Sequence, residues 1–145
     1  MTQSFVISAH IPAPIDTVWK LVSHHEGFRD WTLLLTSKLK VQGSPHPDGV
    51  GAVRFLGAGP VGAIERVTQF DPPYHLAYEL VRGLPIKGYV AHVNLKESPS
   101  GSGTDLVWTG AFQSAPGPTA PLFNAVLKAM IGHFIRGVKS AAAKG

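Results

Sequence analysis

The final stretch of the chain, near residues 119–141, constrains the fold more than any other segment. At about 100° per residue, Phe123, Val126, Leu127, Met130, Ile131, Phe134 and Val138 fall within one arc of roughly 140°. Lys128, Arg136 and Lys139 fall on the opposite side. Gly137 and Ala141 lie inside the apolar arc, where their small size is expected to leave room beneath the helix. A helix so divided must lay its stripe on another layer of structure.

The preceding residues supply that layer. Residues 3–11 alternate, with Phe5, Ile7, Ala9 and Ile11 on one face, and predict a half-buried strand. Pro12 ends it, and Pro14 suits the first turn of a helix over 14–23 that carries Ile15, Val18, Trp19 and Val22 at helical spacing. A second short helical piece is expected over 25–31. From about 36 to 114 the punctuation is turn-like: Pro45, Pro47 and Gly49; Gly57-Ala58-Gly59-Pro60; Asp71-Pro72-Pro73; and the run Ser98 to Gly103. Between these turns lie candidate strands 37–42, 51–56, 62–70, 74–82, 88–97 and 104–113. Short connections between consecutive strands imply an antiparallel meander. With the first strand, the expectation is one α+β domain over residues 1–145, a seven-stranded sheet with a long C-terminal helix across its concave face.

Composition narrows the chemistry. At 145 residues the chain is one domain's worth. With 44% hydrophobic and 15% charged residues it is expected to fold rather than stay disordered. The absence of Cys removes disulfides, thiolate metal sites and cysteine nucleophiles, and fits a reducing compartment. The start, MTQSFVISAHIPAP, has no basic region followed by an apolar core. No apolar run approaches the ~20 residues of a membrane span. A cytoplasmic location is expected. The net charge of +4 sits entirely in residues 73–145, where seven basic side chains face three acidic ones. Four of those basics, Lys128, Arg136, Lys139 and Lys144, follow Pro121 without any acid. An anionic membrane or nucleic acid is one reading of that run. No aromatic residues interleave to stack bases, so it is read as a solvated helix face whose cations offset the C-terminal dipole, with no nucleic-acid partner.

Several motifs dissolve on inspection. Gly57, Gly59 and Gly62 match G-x-G-x-x-G, but Pro60 interrupts the motif and the β-branched run AIERVTQF follows, so it reads as a hairpin turn. The adjacent His24-His25-Glu26 cannot converge on one metal, and none of the seven His shows a convincing partner or helical zinc spacing. There is no G-x-S-x-G and no serine triad. His92 alternates outward, and His133 reads as a boundary residue at the edge of the helix's apolar arc. No metal and no cofactor are expected.

The opening strand into IPAPIDTVWKLVSHHEGFRDW, the later phrases GVGAVRFL, IERVTQFDPPYHLAYEL and GTDLVWTGAF, and the terminal amphipathic helix resemble the START-like, Bet v 1-like helix-grip superfamily (SRPBCC proteins) in its polyketide cyclase/dehydrase-like branch. The resemblance covers essentially the whole chain. It implies a helix-grip fold with a deep, mostly apolar cavity between sheet and long helix, and it implies no shared catalytic residue.

Strand alternation then selects lining candidates. Leu106, Trp108, Gly110 and Phe112 share one face, as do Tyr89, Ala91, Val93 and Leu95, and Leu76, Tyr78 and Leu80. The small Gly110 and Ala91 favour open space over a filled core. The expected cavity residues before the last helix are Trp31, in the short helical piece, and Phe55, Tyr78, Tyr89, Trp108 and Phe112 on the strands. Those on the helix are Phe123, Leu127, Met130 and Phe134. Arg54 and Glu65, roughly diagonal across the Gly57–Pro60 hairpin, are a possible polar anchor for a carboxylate, phenol or carbonyl. Alternation, however, points Val53 and Phe55 inward and Arg54 outward, where the pair would be an ordinary surface ion pair. Three functions remain open: binding of a small hydrophobic ligand, a cyclase or dehydratase using Arg54, Glu65, Tyr78 or Tyr89, and a filled-core domain serving a protein partner. Cavity volume separates the last from the other two. The oligomeric state, monomer or homodimer, is open as well.

Overall fold

The computed structural model describes residues 2–34 and 36–144. The chain runs β1 (Gln3–Ile11), α1 (Ile15–Ser23), a 3-10 turn (His25–Asp30), β2 (Thr36–Val41), β3 (Val53–Ala58) and β4 (Val61–Asp71). It continues through β5 (His75–Arg82), β6 (Val90–Glu97) and β7 (Thr104–Phe112) into α2 (Ala120–Lys144). All seven strands form one antiparallel sheet in the order β1-β7-β6-β5-β4-β3-β2. The last six strands are a meander, and β1 adds to its β7 edge. The helix-grip architecture expected from the sequence is therefore present: a curved seven-stranded sheet closed on its concave side by α2, with two short helices after β1.

Burial along α2 follows the predicted arc with one rotation. Leu127, Ile131, Phe134 and Val138 are buried, and Phe123 and Met130 are half-buried. Val126 is exposed, and Ile135, outside the predicted arc, is buried. The reason is that α2 is covered on two sides. β1 packs along its flank, where Asn124 Nδ2 donates to the Ser4 carbonyl at 3.1 Å, and α1 packs against it too. Together they cover the Ile135 side and leave the Val126 side to solvent.

Two glycines expected to open space are instead filled. Phe5 stands directly opposite Gly110 in the β1–β7 register, and a Cβ on Gly110 would lie 2.4 Å from the Phe5 ring and 3.0 Å from that of Tyr89. Gly137 receives Trp31 in the same way, its missing Cβ lying 2.3 Å from the Trp31 carbonyl oxygen. In both places the absent side chain admits an aromatic one, so the space belongs to the core.

The histidines also acquire partners that spacing could not reveal. His25 is fully buried and donates Nε2–H to the Phe55 carbonyl at 3.0 Å, pinning the 3-10 turn to β3. Burial, helped by the nearby Arg54 charge, pushes its pKa down to about 3. His24 Nδ1 meets Asp48 Oδ2 at 3.3 Å, and His10 Nδ1 meets Asp105 Oδ1 at 3.1 Å. His133 Nε2 accepts the Leu33 N–H at 3.0 Å. His75 and His92 stack on the outer face of the sheet, with Nε2 and Nδ1 2.9 Å apart.

Two stability measurements check this packing. Gly110→Ala should lower unfolding free energy by about 1–3 kcal/mol in a denaturant titration, because Phe5 must leave its rotamer; an unchanged midpoint would show that Phe5 yields freely. For His25, the unfolded chain takes up a proton below its ordinary pKa of ~6.5, whereas the native imidazole stays neutral until about pH 3. Stability should therefore fall with acidification across that window, by up to about 1.4 kcal/mol per pH unit from this group. The slope should be shallower in His25→Gln, which removes the titration and keeps a donor for Phe55.

Candidate functional site

Between the sheet and α2, toward the β3–β4 hairpin, lies an internal cavity of about 190 Å³. β3 and β4 contribute Leu56, Gly57, Gly62, Ala63 and Glu65 to its wall; Tyr78, Leu84 and Tyr89 come from β5 and the connection to β6. Leu34 and the α2 residues Leu127, Met130, Ile131 and Phe134 close it. The wall is apolar except at one corner, where Glu65, Tyr78 and Tyr89 meet.

The β3–β4 hairpin sets that corner. Gly59, with φ of 58°, and Pro60 make the tight turn between Ala58 and Val61. This places Arg54 directly opposite Glu65 rather than diagonal to it, with Leu56 opposite Ala63 and Gly57 opposite Gly62. The G-x-G-x-x-G letters are thus part of a hairpin, as its β-branched continuation predicts. Arg54 and Glu65 both face inward and are 2% and 6% exposed. Arg54 Nη2 donates to Glu65 Oε1 at 3.3 Å, and the guanidinium carbon lies 4.7 Å from the centre of the Tyr78 ring, a cation–π contact. Among the described residues, Arg54 Nε and Nη1 have no hydrogen-bond partner. Trp108 Nε1 donates to the Tyr78 hydroxyl at 3.2 Å from behind the wall.

Electrostatics here are those of a dry site. Burial pushes the Glu65 carboxyl up from its ordinary range, against the opposing pull of the Arg54 charge. Burial also raises both tyrosines, further for Tyr89, so each hydroxyl is a neutral donor at physiological pH. A carboxyl and two phenols at one end of an apolar cavity, with a guanidinium behind the carboxyl, can orient a polar ligand end or exchange a proton with it.

Of the residues singled out from the sequence, Tyr78, Tyr89, Leu127, Met130, Phe134 and Glu65 come together on this wall, with Arg54 directly behind Glu65. The others do not. Phe55 is buried on the opposite face of the sheet, beside Ile64, with Lys40 Nζ 5.9 Å from its ring centre. The inward face of β3 is Arg54 and Leu56, not Val53 and Phe55. The alternation is ambiguous because a large side chain is buried on both faces, and contact with Glu65 and Tyr78 decides for Arg54. Trp108 and Phe112 are solid core. Phe123 packs half-buried against that core, away from the cavity. Trp31 packs at a tilt against Phe28, with ring centres 4.6 Å apart, on the far side of Phe134. It faces a separate, open groove of about 750 Å³ bordered by Trp19, His24, His46, Asp48 and Phe70. That groove is larger and more open, but the cavity is the one whose wall includes the buried Glu65. Leu34, Leu56, Ala63 and Leu84 escaped the sequence reading, and Ile131, though in the predicted arc of α2, is not among the expected cavity residues. Leu56 and Ala63 follow at once if Arg54 and Glu65 are paired directly across the Gly59-Pro60 turn.

Among the described residues, no group of three His, Cys, Asp or Glu side chains converges as a metal site, and no helix is long and apolar enough to cross a membrane. No curated protein is significantly similar to the chain in sequence. Solved structures share its fold. XoxI from Bacillus cereus is 21% identical, with a TM-score of 0.77 over 97% of this chain and 95% of that one. An uncharacterized protein from Bacillus thuringiensis is 20% identical, with a TM-score of 0.78 over 97% and 99%. Ara h 8.0201 is 14% identical, with a TM-score of 0.76 over the full length of both chains. The family model described as polyketide cyclase / dehydrase and lipid transport matches residues 2–143. With that match over nearly its whole length, the chain belongs to the polyketide cyclase / dehydrase and lipid transport family, within the SRPBCC or Bet v 1-like superfamily.

Proposed function

We propose that the protein binds a small hydrophobic molecule between the sheet and α2, with its polar end at Glu65, Tyr78 and Tyr89. The observation that carries this reading is the cavity of about 190 Å³, apolar except at one corner backed by Arg54. An apolar cavity of about 150 Å³ admits benzene, whereas drug-sized ligands occupy about 300–1,000 Å³. The cavity as it stands fits a ligand of about one ring, and Met130, unbranched and half-buried, is the side chain best suited to yield to a longer one. Affinity would come from apolar burial, at ~25 cal/mol per Å². The Tyr78 and Tyr89 hydroxyls on the wall favour a ligand end that accepts hydrogen bonds, such as a carbonyl or carboxylate.

A second reading, a cyclase or dehydratase, draws on one observation: a buried carboxyl with a raised pKa beside a guanidinium, the environment that tunes an acid–base group. Glu65→Gln separates the two readings. It should abolish turnover if Glu65 transfers a proton, and leave uptake of an apolar ligand nearly unchanged if the protein only binds.

The direct test is native mass spectrometry of protein purified from its own host, with solvent extraction of any bound mass. A stoichiometric hydrophobic passenger is expected, and it should be absent from Ala63→Phe, whose ring would occupy the cavity while the fold persists. A passenger kept by Ala63→Phe, or a wild-type protein that takes up neither a passenger nor one-ring aromatic probes, would overturn the cavity reading.

A further inference from the structure

The open groove of about 750 Å³ beside α1 has its own chemistry, separate from that of the cavity. Trp19, on α1, meets Phe70, near the end of β4, edge to face with ring centres 5.3 Å apart. His46, in the connection between β2 and β3, stacks on the same Phe70 ring, with centres 5.2 Å and planes 27° apart. Trp31 and, from α2, Ala141 border the groove as well, so apolar surface reaches it from five segments of the chain.

Asp48 fixes the hydrogen-bonding character of both imidazoles in this groove. Its side chain is only 8% exposed. Oδ2 meets His24 Nδ1 at 3.3 Å, and Oδ1 accepts the His25 N–H at 3.4 Å. A carboxylate only accepts, so His24 carries its proton on Nδ1, and Nε2 of the neutral ring is left as an acceptor. The Asp48 N–H donates to His46 Nδ1 at 3.0 Å. The neutral His46 ring therefore carries its proton on Nε2 and donates there. Both side chains are exposed and border the groove, and among the described residues neither Nε2 has a hydrogen-bond partner. Gly27 makes room for the first of them, since a Cβ there would lie 3.0 Å from His24 Cδ2.

The groove thus combines aromatic faces with one fixed acceptor and one fixed donor. A hydroxyl can turn its hydrogen to suit either role, whereas a ring N–H only donates and a carbonyl only accepts. Nitrogens of fixed and opposite character match a ligand rim whose polarity is fixed too. A purely apolar ring would strip water from both nitrogens and replace neither bond. We propose that this groove binds a planar heteroaromatic molecule with ring N–H and carbonyl groups on its rim. The N–H donates to His24 Nε2, a carbonyl accepts from His46 Nε2–H, and the ring plane lies against the aromatic side chains. The volume is within the range of small-molecule sites. The site is independent of the cavity and of its ligand.

Isothermal titration calorimetry with lumazine tests the proposal, because its bicyclic ring carries both N–H and carbonyl groups. The N,N′-dimethyl analogue keeps the ring and the carbonyls but has no N–H. The wild-type protein should bind lumazine at least about tenfold more tightly than the dimethyl analogue, as expected when a desolvated acceptor is left unpaired. His24→Phe, which keeps a ring without the acceptor, should bind the two probes equally. His46→Phe, which keeps the face toward Phe70, should weaken both probes by a similar factor, since both retain their carbonyls. Ala63→Phe, which fills the cavity, should bind lumazine as the wild type does, so failure of the cavity reading and failure of this one are distinguishable. Equal affinity of the wild type for the two probes, no binding of either, an undiminished preference for lumazine in His24→Phe, or loss of lumazine binding in Ala63→Phe would each overturn it.

Discussion

The structure depends on covering the apolar arc of α2. No single strand is wide enough to do so, and only a sheet that curves around the helix meets residues from Leu127 to Val138 at once. The curve is supported by large-to-small complementarity: Phe5 across Gly110 on the β1 side and Trp31 across Gly137 near the end of the helix. Where such pairs occur, sheet and helix close completely. Toward the β3–β4 hairpin the inward residues are the modest Leu56 and Ala63, with the backbone of Gly57 and Gly62 beside them, and closure fails there. The cavity is thus the part of the interface where side-chain volume runs out.

Into that gap the fold places its costliest group. A buried guanidinium loses hydration worth several kcal/mol, and one long contact to Glu65 with one aromatic face under it offsets only part of that loss. A sequence selected for stability alone would put an apolar pair at these positions. Polar groups that break the local rules of a core while surrounding a cavity are expected where function overrides packing. The neighbouring phenols and Trp108 show that the corner is ordered in depth, since the indole fixes the Tyr78 hydroxyl from behind.

The structural relatives, at 14–21% identity, share the sheet-and-helix frame over nearly their full lengths. A frame shared at such low identity is a packing solution rather than a shared activity. What distinguishes this chain is the set of side chains it sends into the cavity and onto the surface around it. The charge pattern illustrates the point. The cations after Pro121 read from the sequence as one solvated helix face. All four of them, Lys128, Arg136, Lys139 and Lys144, are exposed along α2.

The sequence by itself determined the element order, the antiparallel sheet and the stripe of α2, because periods of 2 and 3.6 are written locally along the chain. It also determined the inward set of β5 to β7, where one face is plainly larger and more apolar, and so found Tyr78 and Tyr89. Tertiary structure alone decided the orientation of β3, since Arg54 and Phe55 are both buried and only Glu65 and Tyr78, distant in sequence, distinguish the two faces. It likewise decided that Gly110 and Gly137 are filled and that His25 is held neutral beneath Phe55. Each of these depends on which side chain arrives from another strand, and that information is carried by no neighbour along the chain.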